Sequence, residues 1–102
     1  MIDTTKIRNI ADVIVKICSP LKIYLISNKV NISGEVTSFK LCLIVADSVH
    51  SVSELECHLY MTIDSDIPFD LVIYKESEWN DLKDDIGTFA WKINNTGTLL
   101  YE

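Results

Sequence analysis

The stretch Phe39-Lys40-Leu41-Cys42-Leu43-Ile44-Val45 decides the fold, together with its expected neighbour Phe69-Asp70-Leu71-Val72-Ile73-Tyr74. Both are short, nearly continuous apolar runs with polar residues at their ends. A strand buried on both faces reads this way. Between them, Val52, Leu55, Leu59 and Ile63 recur at the three- and four-residue spacing of a helix. Strand, helix and strand in this order form a βαβ unit whose two strands are parallel neighbours. Parallel strands begin at the same end of a sheet. Lys40 and Asp70, each near the start of its strand, are therefore expected at one edge.

Outward from this unit, the rest of the chain reads as four further elements and a tail. Ile7, Ile10, Ala11, Ile14, Ile17 and Cys18 predict one apolar stripe on a helix over 4–18, capped by Asp3 or Thr4. Ser19-Pro20 ends it, because the residue before proline avoids the helical region. Lys22-Ile23-Tyr24-Leu25-Ile26 predicts the first strand. Ser27 to Ser38 reads as a polar connection, with a helical turn conceivable over 28–31. Ser51 and Glu54 fit a capping box. Ser77 is placed to cap a helix carrying Trp79, Leu82 and Ile86, and Thr88 one carrying Phe89, Ala90 and Ile93. Gly97 is expected to take the left-handed conformation after the last helix. Leu99-Leu100-Tyr101 is apolar enough to dock as a short tail.

The expectation is a single α/β (α+β) domain over 1–102, a three-stranded mixed sheet covered by helices in the order α-β-loop-β-α-β-α-α. The second and third strands should be parallel and the first antiparallel to the second. Ile10, Ile14, Leu25, Leu43, Val45, Leu59, Leu71, Ile73 and Phe89 should be buried. A chain of 102 residues is one domain of ordinary size.

Composition narrows the function classes. The chain is 48% apolar and 24% charged, as a globular domain is. No apolar stretch approaches the roughly 20 residues that span a bilayer. The start, Met1-Ile2-Asp3-Thr4-Thr5-Lys6, lacks the basic and apolar regions of a signal peptide, so the cytoplasm is the expected compartment. Residues 1–50 carry six Lys/Arg and four Asp/Glu, and residues 51–102 carry three and eleven. The acidic half argues against a nucleic-acid footprint over the whole surface. It reads as a solvated face or as a docking face for a basic partner. Cys18, Cys42 and Cys57 read as reduced core residues. Cys57-His58 with His50 is a thin zinc candidate, because adjacent helical residues diverge by about 100° and no fourth ligand is evident.

The ordered set of strands and helices resembles the minimal nucleotidyltransferases of the DNA polymerase beta superfamily. The likeness spans nearly the whole chain. It rests on Lys22 to Ile26, Leu41 to Val45 and Phe69 to Tyr74 as strands. It also rests on Phe89-Ala90-Trp91-Lys92-Ile93 followed by Asn95-Thr96-Gly97-Thr98-Leu99-Leu100-Tyr101, which looks like that family's closing helix and Gly-x-x-Leu-Tyr end. The resemblance implies magnesium and a nucleoside triphosphate as cofactor and substrate. Two magnesium ions would be held by an Asp-x-Asp pair at the start of the second strand and a carboxylate on the next. A Gly-Ser after the first strand would approach the phosphates.

The positions matching that site are Ser27 and Asn28 for the Gly-Ser, Ser38 and Lys40 for the paired aspartates, and Asp70 for the third carboxylate. From Val13 to Ala46 the only carboxylate is Glu35, so no shift of register restores the pair. The chain therefore reads as a degenerate, non-catalytic member, a pseudoenzyme needing no metal or cofactor. An interaction or regulatory role follows, in the manner of an antitoxin-like protein paired with a small helical partner. Two other readings compete with it. One is an enzyme, either a transferase with an unforeseen metal site or a Ser38–Lys40–Asp70 chemistry in which serine and lysine supply a nucleophile. The other is a module that binds nucleotide without turnover. Lys40 is expected to serve as the counter-charge of Asp70, directly or through a water.

Overall fold

The computed structural model describes residues 3–102; Met1 and Ile2, with which the reading of the amino terminus begins, lie outside these. The elements are α1 (Thr5–Cys18), β1 (Lys22–Val30), β2 (Val36–Val45), α2 (Val52–Thr62), β3 (Phe69–Lys75), α3 (Glu76–Leu82), α4 (Phe89–Thr96) and β4 (Thr98–Tyr101). They build a mixed α+β architecture on one four-stranded sheet of order β3-β2-β1-β4. β2 and β3 are parallel, with Lys40 beside Asp70 and Leu41 beside Leu71. β1 is antiparallel to β2. The βαβ unit is as the apolar runs predict.

The sheet has two covered faces, and alternation along β2 explains both. Phe39, Leu41, Leu43 and Val45 face Ile7, Ile10, Ile14 and Leu59 of α1 and α2. Cys42 and Ile44 face Trp79 of α3 and Ala90 and Ile93 of α4. Leu41 to Val45 are all 2% exposed or less, so β2 is the centre of the molecule. Burial pushes the Cys42 thiol up to about 12, which leaves it a small apolar residue. Cys57, read from the sequence as a core residue, is instead exposed on α2.

Local chemistry sets the helix ends. The Thr5 N–H donates to Asp3 Oδ1 at 2.9 Å, and Ser19 turns left-handed (φ 45°) just before Pro20. The Glu54 N–H donates to Ser51 Oγ at 3.2 Å and the Trp91 N–H to Thr88 Oγ1 at 3.1 Å, so both residues cap as expected, but the Glu54 side chain makes no return bond to Ser51 and the capping box is half formed. Ser77 does not cap α3. Its own N–H donates to Asp47 Oδ1 at 2.9 Å, a cap delivered from the loop after β2.

Several expectations are corrected. The sheet has four strands, not three, because Leu99 to Tyr101 form β4 on the free edge of β1. The supposed polar connection is mostly ladder: β1 runs on to Val30 and β2 begins at Val36, leaving no helical turn over 28–31. Asn31 closes this hairpin. Its Oδ1 accepts the Ser33 and Glu35 N–H groups at 2.9 and 3.0 Å, and Gly34 takes φ 83°.

Gly97 is extended, not left-handed. Glycine suits it for a different reason: a Cβ would stand 2.6 Å from the Ile93 carbonyl oxygen. Phe89 is 41% exposed, because Ala90 and Ile93 take the inward face of α4 and the preceding residue falls on its shoulder. Ile86 lies beyond the end of α3 and is exposed, and Leu25 and Ile73 are only half-buried. Among the described residues no helix is long and apolar enough to cross a membrane.

The β3 edge carries its own protection. The Tyr60 hydroxyl accepts the Leu71 N–H at 2.7 Å, satisfying a donor on the outer strand. Tyr60→Phe keeps the ring and removes that acceptor. It is expected to cost about 1 kcal/mol, read as a lower urea midpoint with faster exchange of the Leu71 amide. An unchanged midpoint and unchanged exchange would mean that solvent satisfies the group equally well.

Candidate functional site

α3 and α4 cover the Cys42 and Ile44 end of their face and leave the start of β2 bare. Alternation carries Ser38 and Lys40 onto the same face as Cys42. Asp70, beside Lys40 in the parallel register, joins them. β1 contributes through an irregularity. The register shifts between Leu25 and Ser27, so that Leu25 opposes Leu41 while Ser27 opposes Lys40. Without this bulge Ser27 would share the face of Leu25. With it, Ser27 and then Lys29, which opposes Ser38, turn toward Lys40.

The outcome is a shallow depression of about 190 Å³, bordered by Ser27, Asn28, Lys29, Ser38, Phe39, Lys40, Pro68 and Asp70. All five sequence-predicted positions therefore meet in one place. Asn28 opposes Phe39 in the ladder and so belongs to the other face, though it borders the depression.

Lys29 is the residue that sequence reading missed. It lies in a run of polar residues that reads as a loop. The signal available was the Asn31–Gly34 turn, which makes the flanking residues a hairpin. Lys29 and Lys40 stand diagonal across the ladder, since Lys29 pairs with Ser38 two residues before Lys40. Such diagonal neighbours are about 7–8 Å apart at the backbone, within reach for long side chains. Two ammonium groups against one carboxylate make this depression locally cationic on a chain of net charge −6.

The expected direct pair between Lys40 and Asp70 does not form. The ion pairs among the described residues are Lys6–Asp66 at 2.8 Å and Lys83–Asp84 at 3.7 Å. Asp70 is exposed, and at an exposed site a lysine gains little by fixing its chain to one carboxylate. The strand starts beneath are held from the opposite face. Phe39 and Phe69 stack with ring centroids 5.7 Å apart, and Tyr60 lies 5.4 Å from Phe69. This aromatic row fixes the strand spacing under Lys40 and Asp70.

A two-magnesium centre needs several hard oxygen ligands converging on one point. The depression offers one carboxylate, two hydroxyls and two ammonium groups, and this set does not fit such a centre. His50 and His58, like Cys57, are exposed, and no group of three metal-ligating side chains forms among the described residues. The two hydroxyls and two ammonium groups suit an anion or an acidic surface instead.

Compared with known proteins, the chain matches no protein-family model, no curated protein and no solved structure.

Proposed function

We propose that this chain is a non-catalytic domain with a nucleotidyltransferase-like core, and that it works by binding a partner protein rather than by transferring nucleotides. The observation that supports this reading is the donor set of the depression. Lys40 holds a strand position that matches a metal-binding aspartate in the family the sequence resembles, and Lys29 adds a second cation beside it. A cation at that position opposes a magnesium ion rather than holding one. A small helical protein with an acidic face is the proposed partner, since its carboxylates complement Lys29 and Lys40.

Three measurements on the purified chain test this. Incubation with labelled nucleoside triphosphates and magnesium should give no label transfer to protein or nucleic acid. Co-expression with the product of the neighbouring reading frame should give a stoichiometric complex that Lys29→Glu and Lys40→Glu together weaken. Magnesium-dependent label transfer by the unmodified chain, or a complex indifferent to both charge reversals, would sink the reading.

A second reading has one observation in its favour. The diagonal Lys29–Lys40 pair with the Ser27 and Ser38 hydroxyls also suits a phosphate group, so a nucleotide bound without turnover is the alternative. A ligand that binds the native state raises its melting temperature. A rise with nucleotide that disappears in Lys29→Ala and Lys40→Ala would favour this alternative over the protein partner.

The metal side of the proposal carries its own prediction. Magnesium is expected to leave the melting temperature of the unmodified chain unchanged. Ser38→Asp with Lys40→Asp places three carboxylates on one face with Asp70, and magnesium should then bind saturably and raise the melting temperature. Calorimetric titration of both proteins checks this. Site-specific binding to the unmodified chain would reopen the transferase.

A further inference from the structure

The two edges of the sheet are finished differently. At β3 the Tyr60 hydroxyl occupies the Leu71 N–H, and Asp70 and Lys75 place charges along the strand. At the opposite edge, β4 has neither device. Thr98 to Tyr101 contains no charged residue, and among the described residues no side chain bonds to its backbone. Leu99 and Tyr101 stand 41% and 36% exposed on this edge. An uncharged edge with open N–H and C=O groups is a template for another strand.

We infer that β4 pairs antiparallel with β4 of a second copy of this chain, joining two four-stranded sheets into one continuous sheet of eight. Antiparallel pairing of identical edge strands creates a two-fold axis perpendicular to the sheet. The interface is then isologous, so every contact occurs twice.

The charge pattern beside β4 is what selects a second copy. α1 lies along one side of the strand, where Arg8, Ala11, Asp12 and Val15 border a groove with Leu100 and Tyr101. The axis sets the two α1 helices antiparallel on the same face of the sheet. Arg8 and Asp12 are one helical turn apart, and neither belongs to an ion pair among the described residues. Antiparallel apposition brings Arg8 of each copy toward Asp12 of the other. One cation and one anion on the same groove wall are thus self-complementary, which a partner of single-sign charge would not satisfy.

Of the remaining charges, Glu102 directly follows β4, and antiparallel pairing sets its two copies at opposite ends of the interface. The acidic residues of α3, namely Glu76, Glu78 and Asp81, lie over β2 and β3, while α4 lies over β1 and separates them from the axis. On the α4 face, Leu99 of both copies comes to the same side of the joined sheet, because Leu99 pairs with Tyr24. The strand is short and bulged opposite Ile23 and Tyr24. The backbone contribution is therefore small, and the side chains along the groove carry the specificity.

The test is sedimentation equilibrium on the full chain over a wide concentration range, paired with hydrogen exchange. The expected result is a concentration-dependent monomer–dimer equilibrium, with slower exchange of the Leu99 to Tyr101 amides in the dimer. Arg8→Glu puts like charges face to face and should weaken the dimer by about tenfold or more. Asp12→Arg added to it restores opposite signs and should recover the dimer. Both residues are exposed, so these variants keep the fold, which circular dichroism verifies. Leu99→Lys should also weaken it. A strictly monomeric chain overturns the inference. So does a dimer that ignores the charge reversal or leaves the β4 amides unprotected, since its interface would then lie on another face.

Discussion

Replacing Trp79 with alanine is expected to remove about 3–5 kcal/mol of stability. Trp79 is 3% exposed and is the fully inserted residue of α3 in the second core, with Leu82 packed at its margin. Its ring lies 5.4 Å from Tyr24 and 5.6 Å from Tyr74, so one side chain ties α3 to β1 and β3 together. A seven-residue helix has little stability of its own and depends on such packing. Its loss should therefore release α3 and expose Cys42 and Ile44 beneath it. Urea unfolding followed by circular dichroism reads the change as a lower midpoint. Trp79→Phe retains an aromatic ring and should lose clearly less. If both variants lose under about 1 kcal/mol, far below a buried aromatic truncation, α3 does not cover the sheet.

Leu43→Ala should cost about 2–5 kcal/mol for the same reason in the other core. Leu43 is fully buried, faces α1 and α2, and stands between Ile23 of β1 and Ile73 of β3 in the ladder. Truncation leaves a cavity that three strands and two helices cannot collapse into without losing other contacts. Leu71→Ala, at the outer strand and 6% exposed, should lose less because the edge can relax. Leu99→Ala, at an exposed position, should change stability little in the monomer. The ranking Leu43, then Leu71, then Leu99 is the checkable content, by denaturant titration of the three variants. A loss for Leu43 well below that for Leu71 would move the centre of the sheet away from β2.

The polar depression connects these two cores to the proposed function. The α1/α2 core holds the strand starts through Phe39 and Phe69, and the α3/α4 core stops short of them on the opposite face. What remains bare is the stretch bearing Ser38, Lys40 and Asp70. The depression is thus built mainly on ladder residues, and its side chains sit on strands packed from below by Phe39 and Phe69. Such placement suits recognition by charge and shape.

The amino-acid sequence by itself determined the order of most elements, the βαβ unit and the placing of Lys40 beside Asp70 at one edge. Those follow from local periodicity. A run such as Leu41 to Val45 has no polar side to turn to water, and Ile7, Ile10, Ala11 and Ile14 fit only one face of a helix. It also gave the Ser51 and Thr88 caps, because a cap is satisfied within one turn.

Only the tertiary structure decided the rest. Ser27 to Val30 are polar enough to read as loop, yet they are ladder residues, and Ser27 and Lys29 stand exposed on the face that α3 and α4 leave bare and so have no need of apolar side chains. The bulge after Leu25 turns Ser27 and Lys29 toward Lys40, and no local pattern announces a one-residue slip of register. β4 became a strand because β1 offered it a free edge, a property of the sheet and not of Thr98 to Tyr101. Strand pairing between residues far apart in the chain, and the side of the sheet each residue then faces, are settled by which edges meet. That is a matter of three-dimensional packing, which short-range spacing cannot carry.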